Sequence, residues 1–459
     1  MQNSIQSKQF SLRSWLYMSN RKEHSEKILK KIRILIMIGI AFYMFFLAYD
    51  NISIWDDELF TLRLIDGSWL DLWNGAVDDL VHPPLYYFLL KLVLSPMNLS
   101  HLQMITGAKM FSAFWVVVTM AYGSFLLKRR YEEQTALLFV LFLCGNMVIG
   151  YSVEIRMYSM AMCMTLLAFL YANELINESS AKNWIFFTIF TIIGIWTNYF
   201  AALALTLIWF YLLWKVNRRE RRNWFICAGI SVISYLPWIL TVLTHSKSVT
   251  DYATAITFQR IMEFFAFPFS CHNTVVSVCL IVLTMILIVV ILLNRPAGFV
   301  VISILSPVYV GIICILSAFI FNKFIVGRYL LPCWAVFWAG IAIGLYGNKI
   351  SKAVLPILIV IDLCSLFFIA TVETNDGNNA KTLLGFARTT TNKVYAGPIL
   401  KEILEYWDDS LAIRTPGTCQ TSGDYIVYFW SDEYHLLQGQ KEVMVLPFSV
   451  NSVHIYRVE

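Results

Sequence analysis

The sequence predicts an all-α protein that crosses a membrane many times. Hydrophobic residues make up 58% of the 459 residues and charged residues only 14%, and the mean hydropathy is +0.64. Several apolar runs reach the roughly 20 residues that a helix needs to cross the hydrocarbon core of a bilayer. The net charge of +5 comes largely from short loops, so it indicates orientation in the bilayer and not nucleic-acid binding.

About eleven apolar runs have the length of a membrane span, roughly 17–25 residues. They lie at 31–49, 103–127, 134–150, 155–174, 183–198, 199–216, 223–243, 273–293, 298–320, 329–347 and 352–371. The first run follows a long polar stretch and not a short basic segment with a cleavage site. We therefore predict a retained first span and a cytoplasmic segment at 1–30.

Basic residues in short loops set the predicted orientation in the plasma (inner) membrane. They cluster near 27–33, 128–130, 215–222, 295 and 349–352. All five clusters fall on the cytoplasmic side only if residues 83–95 do not cross the bilayer. That run is short for a span, so we predict an interfacial or re-entrant helix. The first external loop, 50–102, and everything after 371 are then extracytoplasmic.

The tail at 372–459 is predicted to form a small α/β domain outside the membrane. It is richer in Gly, Asn, Thr and charged residues than the preceding chain. Strand-like runs lie at 393–396, 425–430 and 453–458, and a helix-like stretch lies at 399–407. The membrane part at 31–371 and this tail are therefore expected to be separate domains.

Three consecutive carboxylates, Asp56, Asp57 and Glu58, follow the first span directly. In so charge-poor a chain, this cluster at the membrane boundary indicates a functional site. The alternative is that the acids only cap an interfacial helix running from Leu59, because acidic residues favour a first helical turn.

His82 precedes Pro83 and Pro84 in the same loop. Proline is favourable in the first turn of a helix, and the positive end of that helix suits a phosphate. His82 is then a candidate to donate a hydrogen bond to a phosphate or to bind a divalent ion. The alternative is a rigid Pro-Pro turn in which His82 has a local partner.

Four motifs together resemble the GT-C membrane glycosyltransferases of the protein O-mannosyltransferase and aminoarabinose transferase type, which are similar to glycosyltransferase family 39. The motifs are Trp55-Asp56-Asp57-Glu58, His82-Pro83-Pro84-Leu85-Tyr86-Tyr87, Tyr151-Ser152-Val153-Glu154-Ile155-Arg156-Met157-Tyr158 and Arg328-Tyr329-Leu330-Leu331-Pro332. The resemblance covers roughly residues 30–345. At His82 the chain looks more like the mannosyltransferase branch, because the aminoarabinose branch has Lys there.

The resemblance implies a GT-C fold and inverting transfer of a sugar from a polyprenyl-phosphate carrier to an acceptor hydroxyl. Such transfer needs a carboxylate to accept the hydroxyl proton and a cationic group to stabilise the departing phosphate. Asp57 matches the family's Asp and is the predicted base. Glu58 is expected to orient it or to bind the acceptor, and Asp56 is the alternative base by a shift of one position.

Further candidates face the same side. Arg328 and Lys323 are predicted phosphate ligands, because basic residues are unusual on the external side; snorkelling is the alternative. Glu154 and Arg156 cannot face each other on a helix. There, Tyr151, Glu154 and Tyr158 would share the face of an acceptor cleft while Arg156 braces the first loop. An ordinary interfacial belt of charges and tyrosines remains the alternative.

The rival functions are a polytopic transporter or flippase and a non-catalytic scaffold. Transporters place ionisable residues near the bilayer midplane, where this chain offers only Lys109 and Asp362. The remaining suspicious charges gather at one face, which favours an interfacial enzyme. No cofactor is predicted as required, although a divalent cation is compatible. The sequence leaves open the sugar and the acceptor, whether protein, polysaccharide, teichoic acid or lipid.

Overall fold

A computed structural model describes residues 2–245, 256–321, 325–416, 421–429, 440–449 and 451–459. Its α-helices are Gln2–Asp50 (α1), Asp56–Asp66 (α2), Trp69–Asp79 (α3), Leu85–Leu94 (α4), His101–Arg130 (α5), Glu133–Cys144 (α6), Met147–Gly150 (α7), Tyr158–Asn177 (α8), Ala181–Thr197 (α9), Tyr199–Lys215 (α10), Arg221–His245 (α11), Phe258–Ala266 (α12), Thr274–Leu293 (α13), Gly298–Phe321 (α14), Leu331–Gly344 (α15), Ile350–Thr389 (α16) and Pro398–Trp407 (α17). Its strands are Val394–Ala396 (β1), Tyr425–Phe429 (β2), Gln440–Pro447 (β3) and Ser452–Val458 (β4).

The predicted spans all fall on helices. Within the described residues, seven helices are long and apolar enough to cross a membrane: α1, α5, α8, α11, α13, α14 and α16. The pair α6 and α7 counts as an eighth if a span bent by 69° is accepted. The shorter apolar helices α9 and α10, together with α15, lie on the three remaining predicted spans, and the run Leu85–Met97, which was not predicted as a span, is a further short apolar helix. The all-α membrane architecture is therefore confirmed.

Helices α8 and α15 form the centre of the membrane part and are buried on nearly every side. Large apolar side chains cover the outside instead, among them Ile233 on α11 and Met285 on α13. An apolar exterior of this kind suits lipid and not water. The two central helices therefore begin at the ends of the motif segments 151–158 and 328–332.

The predicted first external loop folds as three short helices, α2 to α4. The run at 83–95, predicted to stay on one side of the membrane, contains α4, which has only 10 residues. Lys91 is buried on α4 and donates to the carbonyl oxygen of Ile65 at 2.6 Å. This contact ties the end of α4 to the end of α2, so the two motifs of the loop are held together.

The C-terminal part contains a four-stranded sheet in the order β1-β2-β4-β3. Strands β1 and β2 are parallel, whereas β4 is antiparallel to both β2 and β3. Strands β1, β2 and β4 and helix α17 lie where the sequence predicted them, although position 430 is outside the described residues. Strand β3 was not predicted.

Helix α16 runs without interruption from the last span to Thr389. The predicted domain boundary at 371/372 therefore falls within a continuous helix. Gly377 lies in this helix beyond that boundary. Glycine disfavours a helix, but a Cβ atom here would lie 3.0 Å from the Cα of Asn51 and 3.0 Å from the carbonyl oxygen of Asp50. The glycine lets α16 pack closely against the end of α1.

Candidate active site

Helix α2 begins at Asp56, directly after Trp55. Glu58 Oε2 accepts a hydrogen bond from the Trp55 backbone N–H at 3.2 Å. Glu58 therefore does what the capping alternative foresaw. Asp57 makes no such cap, and its side chain remains available for another role.

The Asp57 carboxylate faces two guanidinium groups. Its Oδ2 lies 3.2 Å from Arg328 Nη2 and 3.8 Å from Arg156 Nη2. Arg156 Nη1 also donates to the backbone oxygen of Asp57 at 2.9 Å and to Thr61 Oγ1 at 3.2 Å. The structure therefore joins the first loop, the 154–158 segment and the start of α15 at one point.

Arg328 lies in the 3₁₀ turn Gly327–Leu330, which precedes α15. Its guanidinium carbon sits over the Trp55 ring, 4.8 Å from the centroid, in a cation–π contact. Gly327 is required there, because a Cβ would come within 2.2 Å of Phe267. The Nε atoms of both Arg328 and Arg156 are buried and have no acceptor among the described residues. The two guanidinium groups thus retain N–H donors for an anion.

His82 is 3% exposed and packs edge-to-face on Tyr158, with the ring centroids 6.1 Å apart. Burial, reinforced by the positive charges of Arg156 and Arg328, holds the pKa of His82 well below its ordinary value. The imidazole is therefore neutral at pH 7. Its Nδ1 has no partner in the described part of the chain, so the local partner that the alternative interpretation requires is not seen at this atom.

The 151–157 segment is not the helix that the sequence suggested. It forms the 3₁₀ turn Tyr151–Val153, Glu154 is extended, and α8 begins only at Tyr158. The physical reason lies in the first loop, where Glu58 Oε1 accepts the Ile155 N–H at 2.8 Å. The predicted common helical face of Tyr151, Glu154 and Tyr158 is therefore wrong.

The side chains of this segment nevertheless contact two different sides of the first loop. Tyr151 packs edge-to-face against Tyr158 at 5.7 Å on the side of the guanidinium groups. Arg156 turns to Asp57, as the bracing role required, and Glu154 lines a separate cavity. The predicted cleft residues thus belong to two adjoining places.

That cavity has a volume of about 240 Å³ and lies between the membrane part and the C-terminal sheet. Asp56, Glu58 and Glu154 contribute to its wall, but Asp57 does not. Burial raises the pKa of Glu58, and burial together with the charges of Glu58 and Glu373 raises the pKa of Glu154 to about 8.

Sequence reasoning assigned no role to two charged residues of this cavity. Lys109 on α5 donates from Nζ to the Ser53 oxygen at 2.7 Å. Glu373 on α16 accepts from Asn51 Nδ2 at 2.6 Å. Lys109 was visible as one of the rare charges inside a span, which is a signal of function. Glu373 stood just past a predicted span end and gave no such signal.

Two further predictions concern Lys323 and a divalent cation. Lys323 lies outside the described residues. No group of three or more His, Cys, Asp or Glu side chains in the described ranges is placed to hold a metal ion, so the compatibility with a divalent cation has no ligand set behind it here.

No protein-family model matches the sequence, and no curated protein matches it. The chain is similar in structure to ArnT, an aminoarabinose transferase from Cupriavidus metallidurans. In its apo state the TM-score is 0.59 at 9% identity, and the match covers 92% of this chain and 97% of ArnT. The same protein bound to undecaprenyl phosphate gives a TM-score of 0.57 at 10% identity, with 92% and 97% covered. The chain therefore has the GT-C fold, as its motifs predicted.

Proposed function

We propose that the protein is a glycosyltransferase that moves a sugar from a polyprenyl-phosphate carrier to an acceptor hydroxyl, with inversion, on the extracytoplasmic face. One observation carries this proposal. A carboxylate, Asp57, lies against two guanidinium groups that keep unused N–H donors, at the end of a bundle of apolar helices.

Arg328 and Arg156 supply what a departing lipid phosphate needs. Guanidinium groups bind phosphate through charge-assisted hydrogen bonds and stabilise charge that develops in the transition state. The neutral His82 has room for one more hydrogen bond to a phosphate oxygen. The start of α4 at Leu85 adds the positive end of a helix.

Asp57 supplies the base. A phosphate that binds the two guanidinium groups replaces Asp57 as their counter-ion and frees its carboxylate to accept a proton. The acceptor oxygen then forms a bond to the anomeric carbon, the bond from that carbon to the phosphate oxygen breaks, and the electron pair leaves on the lipid phosphate. The acceptor proton goes to Asp57, and a single displacement of this kind inverts the anomeric carbon.

Two further facts support the donor and the side of the membrane. ArnT, which shares the fold, has been seen bound to undecaprenyl phosphate. Arg33 within α1 and Lys128 in the last turn of α5 both contact Glu133, at the end of α5 that is far from Lys109 and the site. The excess of positive charge at that end supports a cytoplasmic position for it and an external position for the site.

The test is to incubate the purified full chain with a panel of polyprenyl-phosphate sugars and candidate hydroxyl acceptors, followed by mass spectrometry of lipids and acceptors. We expect release of polyprenyl phosphate and a gain of one sugar mass on an acceptor, both absent in Asp57→Asn. Transfer from a nucleotide sugar in lipid-free micelles would refute the donor assignment.

A further inference from the structure

The cavity of about 240 Å³ beside the first loop is lined on one side by the C-terminal domain. Its floor comes from the α1–α2 connection, α5, the segment before α8, and α16. Its roof comes from α17, strands β2 and β4, and the β3–β4 connection, including Leu400, Trp407 and Phe448. The C-terminal domain therefore forms half of a potential binding site.

A polar group on the roof lacks a partner. Trp407 is 4% exposed and lines the cavity. Its indole Nε1–H has no acceptor among the described residues. An indole N–H can only donate, and leaving a buried donor unsatisfied costs free energy. A ligand in the cavity is expected to offer it an oxygen atom.

The opposite wall of the cavity, formed by the membrane part, contains a buried oxygen atom that also lacks a hydrogen-bond partner among the described residues. Glu154 Oε2 is buried and also has no partner in the described ranges. A hydroxyl group can accept from Trp407 and donate to Glu154, because it carries one proton and two lone pairs. A ligand with several hydroxyl groups therefore suits both walls. The volume lies just below the roughly 300–1,000 Å³ of sites for drug-sized ligands, which suits a single sugar residue.

The charges of the lining select the ligand further. Five carboxylates face one ammonium group, that of Lys109; they belong to Asp56, Glu58, Glu154, Glu373 and Asp376. The pKa of Glu154, about 8, means that this carboxyl group is largely protonated at pH 7 without a ligand, and an ammonium group beside it would stabilise its ionised form. An anionic ligand would be repelled, and an ammonium group would be attracted.

We propose that this cavity is the acceptor subsite and that it takes a hydroxyl-bearing sugar residue without an anionic group, preferring one with an ammonium group. This inference rests on the proposed glycosyl transfer. Asp56 and Glu58 line the cavity while the Asp57 carboxylate between them in sequence faces the guanidinium groups. The first turn of α2 therefore adjoins both the cavity and the guanidinium groups, and it carries the proposed base.

The test measures binding without transfer. The purified full chain in detergent is titrated with the methyl glycosides of glucosamine, glucose and glucuronic acid, and saturation-transfer NMR reports binding. We expect the glucosamine compound to bind at least about 5-fold more tightly than the glucose compound, because a charge-assisted hydrogen bond exceeds a neutral one. The glucuronic acid compound is expected not to bind.

Two variants locate the binding. Trp407→Phe is expected to weaken both sugars by about 2- to 12-fold, the range for one lost hydrogen bond. Glu154→Gln is expected to reduce the preference for the glucosamine compound while glucose still binds. Trp115→Phe is the matched control, because the Nε1 of Trp115 is also unpartnered in the described part of the chain but does not line the cavity.

The outcomes separate the two proposals. Equal binding of all three glycosides, binding of none, or an equal loss in Trp115→Phe overturns the acceptor subsite even if lipid-linked sugar is transferred. Binding with the expected order in Asp57→Asn, which cannot transfer, supports the subsite independently of turnover. Thermal unfolding of each variant confirms that it is folded.

Discussion

Replacing Asp57 with Asn is expected to affect turnover and donor binding in opposite directions. The amide keeps the shape of the side chain but cannot accept the proton, so transfer should fall by about 10²–10⁴-fold, the usual contribution of a general base. The same change removes the negative charge that lies 3.2 Å from Arg328 and 3.8 Å from Arg156. A phosphate then no longer competes with Asp57 for these groups.

The gain in donor affinity can be bounded from the structure. The Asp57 side chain is 33% exposed, so solvent screens its ion pairs, and such a pair is worth at most about 1 kcal/mol. Since every 1.4 kcal/mol is tenfold in affinity, polyprenyl phosphate should bind about 2- to 5-fold more tightly. Trp55, which stacks on Arg328, offers a fluorescence signal for that binding.

Single-turnover transfer and lipid-phosphate binding should be measured side by side. Asp78→Asn is a matched control, because Asp78 is an exposed Asp of the same loop, and it should leave both quantities unchanged. Loss of turnover in Asp56→Asn but not in Asp57→Asn would move the base by one residue. Wild-type turnover in both, or weaker donor binding in Asp57→Asn, would refute the reasoning.

Three further predictions concern the donor, the pH dependence and the topology. Arg328→Ala should weaken polyprenyl-phosphate binding by about 10- to 150-fold, the contribution of a charge-assisted contact. Arg388→Ala, which changes an exposed residue of α16, should leave this binding unchanged. Equal effects of the two changes in a lipid-binding assay would contradict the phosphate role of Arg328. Because the pKa of Glu154 rises from 4.5 to about 8 on folding, the folded state holds a proton that the unfolded chain releases, so stability should fall as pH rises through that window. Thermal unfolding between pH 5 and pH 8 should show a shallower fall for Glu154→Gln, and an unchanged slope would argue against it. Single cysteines at Ser68 and Ser100 in a cysteine-free background should both react with an impermeant thiol reagent from outside, and labelling of position 100 only after permeabilisation would reverse the orientation.

Most of the fold could be predicted from the sequence, because the length of an apolar run is set by the thickness of the bilayer. The short run at 83–95 was distinguished from the predicted spans by this criterion together with the basic loops, and its position on one side of the membrane stays a prediction. This criterion did not predict the part of α16 beyond the apolar run, because Gly377, Asn378 and Asn379 have low helix propensity. Packing of Gly377 against the end of α1 overrides that preference, and no local pattern announces such a contact.

The sequence indicated candidate residues for the site but not how they are arranged in space. Asp57 and Arg328 are 271 positions apart, so only the packing of α15 beside the first loop brings them together. Arg156 contacts the first loop as the sequence suggested, but not from a helix, because Glu58 accepts the Ile155 N–H and α8 begins only at Tyr158. Lys109 stood out as a charge within a span, but its neighbours come from a distant loop and could not be seen from the sequence.

Because α16 is continuous, the C-terminal domain is attached directly to the end of one long helix. Forty residues of helix extend about 60 Å, roughly twice the thickness of the hydrocarbon core. Lys381 of this helix forms a salt bridge with Asp50 at the end of α1, at 2.6 Å. Inserting one residue near Thr371 would turn everything above it by about 100° and lift it by about 1.5 Å. Trp407 would then face a different part of the membrane domain. The rotational position of α16 about its axis therefore determines whether the two walls of the cavity face each other. We expect the chain to tolerate a change in the length of a surface loop far better than a change of one residue in α16.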